Sequence, residues 1–113
     1  MRIAAVTLLI LVSTLAHADP IWAVRPDPRL VCMKTTSAGL PILGLPRANA
    51  TVLAIAGPLV FAVKPPLADA GYVAVERPNH QRGWVRQASL SPGPAGCTPT
   101  LMSNGLILAT TAR

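Results

Sequence analysis

Apolar and polar positions alternate most regularly between Gly71 and Pro92, GYVAVERPNHQRGWVRQASLSP. Tyr72-Val73-Ala74-Val75 is aromatic and β-branched, the composition that a pleated, half-buried surface favours. A period of two puts Tyr72, Ala74 and Glu76 on one face and Val73, Val75 and Arg77 on the other. Pro78-Asn79-His80-Gln81 is turn chemistry, because proline cannot donate to a ladder and asparagine tolerates the left-handed region. Gly83 suits a bulge or a close backbone approach ahead of Trp84-Val85-Arg86. The stretch therefore predicts strand, tight turn, strand. Gln87 to Leu90 follows, and Ser91-Pro92-Gly93-Pro94 ends regular structure.

The same reading extends along the chain. Leu30 to Lys34 predicts a short strand, and Thr35 to Asn49, broken by Gly39, Pro41, Gly44 and Pro46, predicts a loop. Thr51 to Ala56 and Leu59 to Val63 predict two strands joined by Gly57-Pro58. Both carry apolar residues on each face, which puts the pair under the core. Lys64 to Ala70 reads as a connection. Asp19 to Arg29 holds three prolines, so it predicts an extended arm, with Trp22 docked on the domain. Within it, Pro26-Asp27-Pro28 has polyproline II character, the form that aromatic grooves hold. Near the C-terminus, Ser103-Asn104-Gly105 lies between two apolar runs and predicts a β-hairpin ordered to about Thr110. Proline spacing excludes long helices, since the longest proline-free stretch after residue 18 has 14 residues. Many short strands punctuated by Gly and Pro give an all-β class, a small barrel or sandwich.

Composition changes this picture in three ways. Arg2, the apolar run Ile3 to Val12 and Ala16-His17-Ala18 have the layout of a cleavable signal peptide over residues 1–18. An exported protein, periplasmic or extracellular, is the expectation, with no stable membrane span after cleavage. The 113-residue chain carries a net charge of +6; cleavage removes Arg2 and leaves +5 on 95 residues. Such a charge suits anionic head groups or cell-wall polymers. Nucleic acid would satisfy the same electrostatics, but export argues against it. Lastly, Cys32 and Cys97 are the only cysteines, and an even count in a small exported domain reads as one disulfide.

The hairpin from Tyr72 to Leu90, above all Gly83-Trp84-Val85 to Leu90, resembles the last hairpin of bacterial SH3-like (SH3b) domains. The resemblance covers roughly residues 30 to 92, and Tyr72 stands where that family usually carries tryptophan. It implies a small SH3-like barrel over 30–92; the arm 19–29 before it and the disulfide-tethered C-terminal hairpin extension over 93–113 are read from the residues and are not supplied by the resemblance. It also implies a non-catalytic binding module of the cell envelope. Its ligand would be cell-wall glycan and peptide (peptidoglycan) or a peptide segment of an envelope protein.

The residues themselves offer little for catalysis. The four carboxylates are Asp19, Asp27, Asp69 and Glu76, and His80 is the single histidine after residue 18. A Cys–His nucleophile needs a thiol that a disulfide would consume. No enzyme activity, cofactor or metal is therefore expected, and Met33 and Met102 read as core filler. The candidate ligand-binding residues are Tyr72, His80, Arg82, Trp84 and Arg86. Aromatic faces stack on sugar or proline rings, and arginine pairs with carboxylates. Trp84 reads equally as a core residue, and His80 and Arg82 as solvated turn residues. Two other classes stay open: a small secreted inhibitor or accessory subunit acting through the Asn104-Gly105 tip, and a structural protein whose groove holds its own arm. Neither ligand identity nor oligomeric state follows from the sequence.

Overall fold

The computed structural model describes residues 19–111; the expected signal peptide lies outside the described residues. Eleven strands and one short 3-10 turn account for its regular structure: β1 Ala23–Pro26, β2 Leu30–Thr35, β3 Pro41–Leu43, β4 Val52–Ile55, β5 Leu59–Val63, β6 Ala68–Asp69, β7 Tyr72–Glu76, β8 Arg82–Arg86, the turn Gln87–Ser89, β9 Leu90–Pro92, β10 Cys97–Met102 and β11 Ile107–Thr111. The larger sheet runs β4-β3-β8-β7-β5-β2-β9, with β6 added against β7. The smaller sheet runs β1-β10-β11. The protein is all-β, with no membrane-length apolar helix among the described residues.

β7 lies at the centre. β8 pairs along its full length on one side, while β5 and β6 share the other. All five of its residues are buried. One face contributes Val73 and Val75 to a cluster with Leu40, Ile42, Val60 and Val85, against which Met33 and Leu90 pack. On the other side of the sheet, Leu30 and Cys32 of β2 and Phe61 of β5 meet Ile107 of β11 in a second cluster, with Val63 and Cys97 at its margin. Val75, Val85 and Ile107 are fully buried. Each such side chain contributes about 1.5–3 kcal/mol by leaving water.

Gly83 makes the β3–β8 approach possible. A Cβ there would lie 2.4 Å from Ile42 Cγ2 and 3.2 Å from the Leu43 carbonyl oxygen. The β7–β8 register runs through Gly83 without a shift, so of the two expectations the close approach holds and the bulge does not.

Several details differ from the expectations. The Thr35–Asn49 loop contains β3, which begins on Pro41, the strand position where a missing donor costs least. Of the two strands expected under the core, β5 is buried at Val60, Phe61 and Ala62, but β4 is not: it pairs only with β3 and leaves Val52 and Ile55 exposed, whereas β5 lies between β2 and β7. Among the described residues, no sheet closes into a barrel. The N-terminal arm is extended as expected, but as a strand, Ala23–Pro26, bonded to β10, and the Pro26-Asp27-Pro28 segment passes from that strand into a turn at Pro28. Its Trp22 does not dock, being 58% exposed. What is held there is the backbone: Trp22 N–H donates to Ser103 Oγ at 3.0 Å, and its carbonyl accepts from Ser103 N–H at 2.8 Å.

The disulfide joins Cys32 on β2 to Cys97 on β10, with the Cα atoms 6.2 Å apart. It ties one sheet to the other across a separation of 65 residues. Closing a loop of that size removes entropy from the unfolded chain worth about 4 kcal/mol. Urea denaturation of the Cys32→Ser/Cys97→Ser double variant should show a loss of that order, with the midpoint moving down; an unchanged midpoint would show that side-chain packing alone holds the sheets together.

Candidate functional site

Register gathers the site residues on one face of β7 and β8. Tyr72 is opposite Arg86, Ala74 opposite Trp84, and Glu76 opposite Arg82. Directly opposed residues of an antiparallel pair share a face, so Arg82, Trp84 and Arg86 alternate along one side of β8. Arg82 and Arg86 are exposed and Trp84 is half-buried. The Tyr72 ring is buried beneath the Arg86 guanidinium, whose central carbon is 5.6 Å from the ring centroid. That is within range for a cation–π contact. Trp84 is thus neither a sealed core residue nor a free surface ring: it sits opposite Leu43 of β3, with part of its surface in water.

His80 lies in the turn beyond the end of this face and reaches Glu76 from there. The turn is closed by Arg77 N–H donating to the Gln81 carbonyl and His80 N–H donating to the Arg77 carbonyl, both at 2.8 Å. Asn79 was the expected left-handed residue, but His80 holds that conformation, at φ +71. Asn79 instead accepts from Gln81 N–H through Oδ1 at 3.1 Å. The imidazole, itself exposed, bridges Gly105 and Glu76. Nε2 lies 2.6 Å from the Gly105 carbonyl oxygen and Nδ1 3.4 Å from Glu76 Oε2. Carbonyl and carboxylate are both acceptors, so only the doubly protonated ring donates to both.

The residue that the sequence did not single out is Glu76. It is 5% exposed, yet it meets three basic side chains. Arg29 Nη2 donates to Oε2 at 3.2 Å, His80 Nδ1 stands at 3.4 Å, and Arg82 Nε is 3.6 Å from Oε1. Register explains the burial: Cys32, Phe61, Glu76 and Arg82 are successive cross-strand neighbours on β2, β5, β7 and β8. Glu76 therefore continues an apolar row and is covered on the Phe61 side. A buried carboxylate is tolerated only with partners, and the three basic groups supply them.

Asp27 extends the network. Arg29 donates to its Oδ1 from Nε at 3.1 Å and from the backbone N–H at 3.0 Å, and to its Oδ2 from Nη2 at 2.7 Å. The Arg29 side-chain hydrogen bonds hold the Asp27 carboxyl below its ordinary value against the opposing effect of burial. The Arg29 backbone bond and the charges of Arg29 and Arg25 act in the same direction. Arg29 is correspondingly raised, first by Asp27 and then by the charge of Glu76. A cleft of about 330 Å³ opens beside this network between Arg25, Asp27, Arg29, His80 and Leu101.

Both cysteines are in the disulfide, so His80 has no thiol to activate. Among the described residues no group of three or more metal-ligating side chains comes together. Comparison of the chain with protein-family models, with curated proteins and with solved structures finds no match.

Two outcomes test the network. Glu76→Ala takes the carboxylate away from Arg82 and from Arg29, which keeps only Asp27, and should cost about 1–3 kcal/mol, read from the urea midpoint. Glu76→Gln, which keeps the shape, separates the charge from the packing. A carboxyl lowered in the folded state stabilises fully above its unfolded value, about 3.9, and loses that contribution as pH falls through the folded value. The Asp27–Arg29 contribution should therefore be constant from pH 7 to about 5 and vanish as the solution is acidified below about 4. Asp27→Asn should flatten that part of the acid limb.

Proposed function

We propose that this chain is a non-catalytic binding module of the cell envelope, in which the larger sheet is an SH3-like unit left open between its end strands β4 and β9. The observation that carries the reading is the face of β8, where Arg82, Trp84 and Arg86 stand in alternation, with Arg86 stacked on Tyr72. A partly open indole flanked by two guanidinium groups suits a ligand with a ring and a carboxylate close together. The indole stacks on the ring, and an arginine takes the carboxylate bidentately. Peptidoglycan, with sugar rings and acidic stem peptides, offers both, and so does a peptide segment of an envelope protein. The resemblance of Gly83-Trp84-Val85 to Leu90 to SH3b domains supports the same class. Export, which the disulfide is compatible with, would bring the module to that ligand.

The inhibitor reading has less behind it. It needs a free Asn104-Gly105 tip, whereas the Gly105 carbonyl is engaged by His80. A self-occupied groove needs a loose arm, whereas the arm is paired with β10 as β1.

Co-sedimentation with purified cell-wall sacculi tests the proposal. Binding should persist near 1 M salt, where screening reduces the Debye length to ~3 Å. It should be lost in Trp84→Ala and weakened in Arg86→Ala, each verified as folded by its thermal transition. Binding that disappears in salt alone would reduce the interaction to net charge. Absence of binding to sacculi would leave the peptide ligand, to be sought in envelope extracts with the same two variants as controls.

A further inference from the structure

β1 is a strand that buries nothing. All four of its residues, Ala23 to Pro26, are exposed. Its own main chain holds it, through the ladder to β10 and the two bonds from Trp22 to Ser103. Ile21, Trp22 and Val24 are nevertheless large and apolar, and they are 55%, 58% and 49% exposed. The core gains nothing from them. The sheet continues the surface that they begin. Ser103 holds Trp22, and the adjacent Met102 N–H donates to the Leu106 carbonyl, so Trp22 and Leu106 flank the same hairpin tip. Ile107 is in the core, so its neighbour Leu108 lies on the outer face, with Thr100 and Pro26 opposite it in the register. Leu106 and Leu108 are exposed, and no residue from 97 to 111 carries a charge. An exposed apolar patch of this kind marks a surface for a protein or a membrane.

What precedes β1 in the chain favours the membrane. Residues 1–18 hold the apolar run Ile3 to Val12 and no acidic residue, and as a signal segment they bring this end of the chain to a bilayer first. Trp22 is ten residues beyond Val12, at most about 35 Å of extended chain. β1 is therefore the first strand of the fold delivered to the lipid surface. The net charge of +6 complements anionic head groups, and indole is a ring that settles at their level. We propose that Ile21, Trp22 and Val24, together with Leu106 and Leu108 of the last hairpin, rest on an anionic lipid surface.

The contact stays at head-group depth. β1 is an end strand of its sheet, and its free edge carries main-chain groups that hydrocarbon leaves unpaired but head-group water satisfies. Binding of this kind grows with the apolar area inserted and with the attraction to anionic lipid. The inference rests on the export reading for its location and does not use the β8 face.

The test uses the full chain expressed with export, its mass showing whether residues 1–18 remain attached. Trp84→Phe, verified as folded, leaves Trp22 as the sole indole. With vesicles of phosphatidylglycerol and phosphatidylcholine, the Trp22 emission should shift to the blue, and brominated lipid should quench it. Vesicles of phosphatidylcholine alone should bind more weakly. Trp22→Ala should weaken partitioning about tenfold and keep the thermal transition, because the bonds at that position come from the main chain. Leu106→Glu/Leu108→Glu should abolish the quenching whether or not residues 1–18 are attached. Failure of the sacculus assay leaves the Trp22 quenching as expected, so the two proposals fail separately. This one is overturned if vesicles do not bind, or if they bind with the Trp22 emission unchanged, which would reduce the contact to net charge. It is equally overturned if sedimentation shows a dimer that Trp22→Ala dissolves and vesicles do not, because the patch would then belong to a second copy.

Discussion

Tyr72–Glu76 has water on neither face, and two layers of protein follow from that. A strand with one wet face can sit on a single core. This one needs the valine-rich cluster of the larger sheet on the Val73–Val75 side, and a separate cover on the side of Ala74 and Glu76. The small sheet covers the neighbouring β2 and β5 on that side, fixed by Ile107 against Phe61 and by the Cys32–Cys97 bond. The two clusters divide the work in a chain with one phenylalanine and one tyrosine. Short aliphatic residues fill the inner core, and the second layer rests on Phe61, Leu30 and Ile107.

The cover also creates the network beneath it. Glu76 is the last residue of β7, at the place where the Phe61 row runs out and the turn to β8 begins. Placed there, its carboxylate loses water on one side and retains room for cations on the other. Arg29 approaches from the loop before β2, Arg82 from β8, and His80 from the turn itself. Gly105 is then drawn to the far nitrogen of His80, so the tip of the last hairpin and the end of the central strand share one imidazole.

Legibility followed local chemistry. The β7–β8 hairpin and the Asn104-Gly105 hairpin were readable because strand composition and turn residues agree within a few positions. The disulfide was readable because only two cysteines exist. β3 was hidden by Pro41 and its flanking glycines, and β6 by its two-residue length. The failure of β4 and β5 to pair could not be read from Gly57-Pro58, since a short link permits a hairpin without enforcing one. Glu76 was visible as a member of the Tyr72 face, but its partner Arg29 is 47 residues away, and only the fold brings the two together. At the β8 face, register puts Arg82, Trp84 and Arg86 on one side, and His80 joins Arg82 at the Glu76 carboxylate from the turn, a meeting that depends on its left-handed backbone.

Pairing β1 with β10 has a consequence for how the protein comes into being. The small sheet joins the first strand of the described chain to its last two, so it has high contact order. The hairpins can form while the polypeptide is still emerging, because their partners are close in sequence. The second layer cannot, and until β10 arrives the Phe61 side of the central sheet has nothing over it. Nascent or truncated chains would then expose a sticky half-built surface, with Cys32 as an unpaired thiol. That thiol stays without its partner until residue 97 has been delivered to the same place.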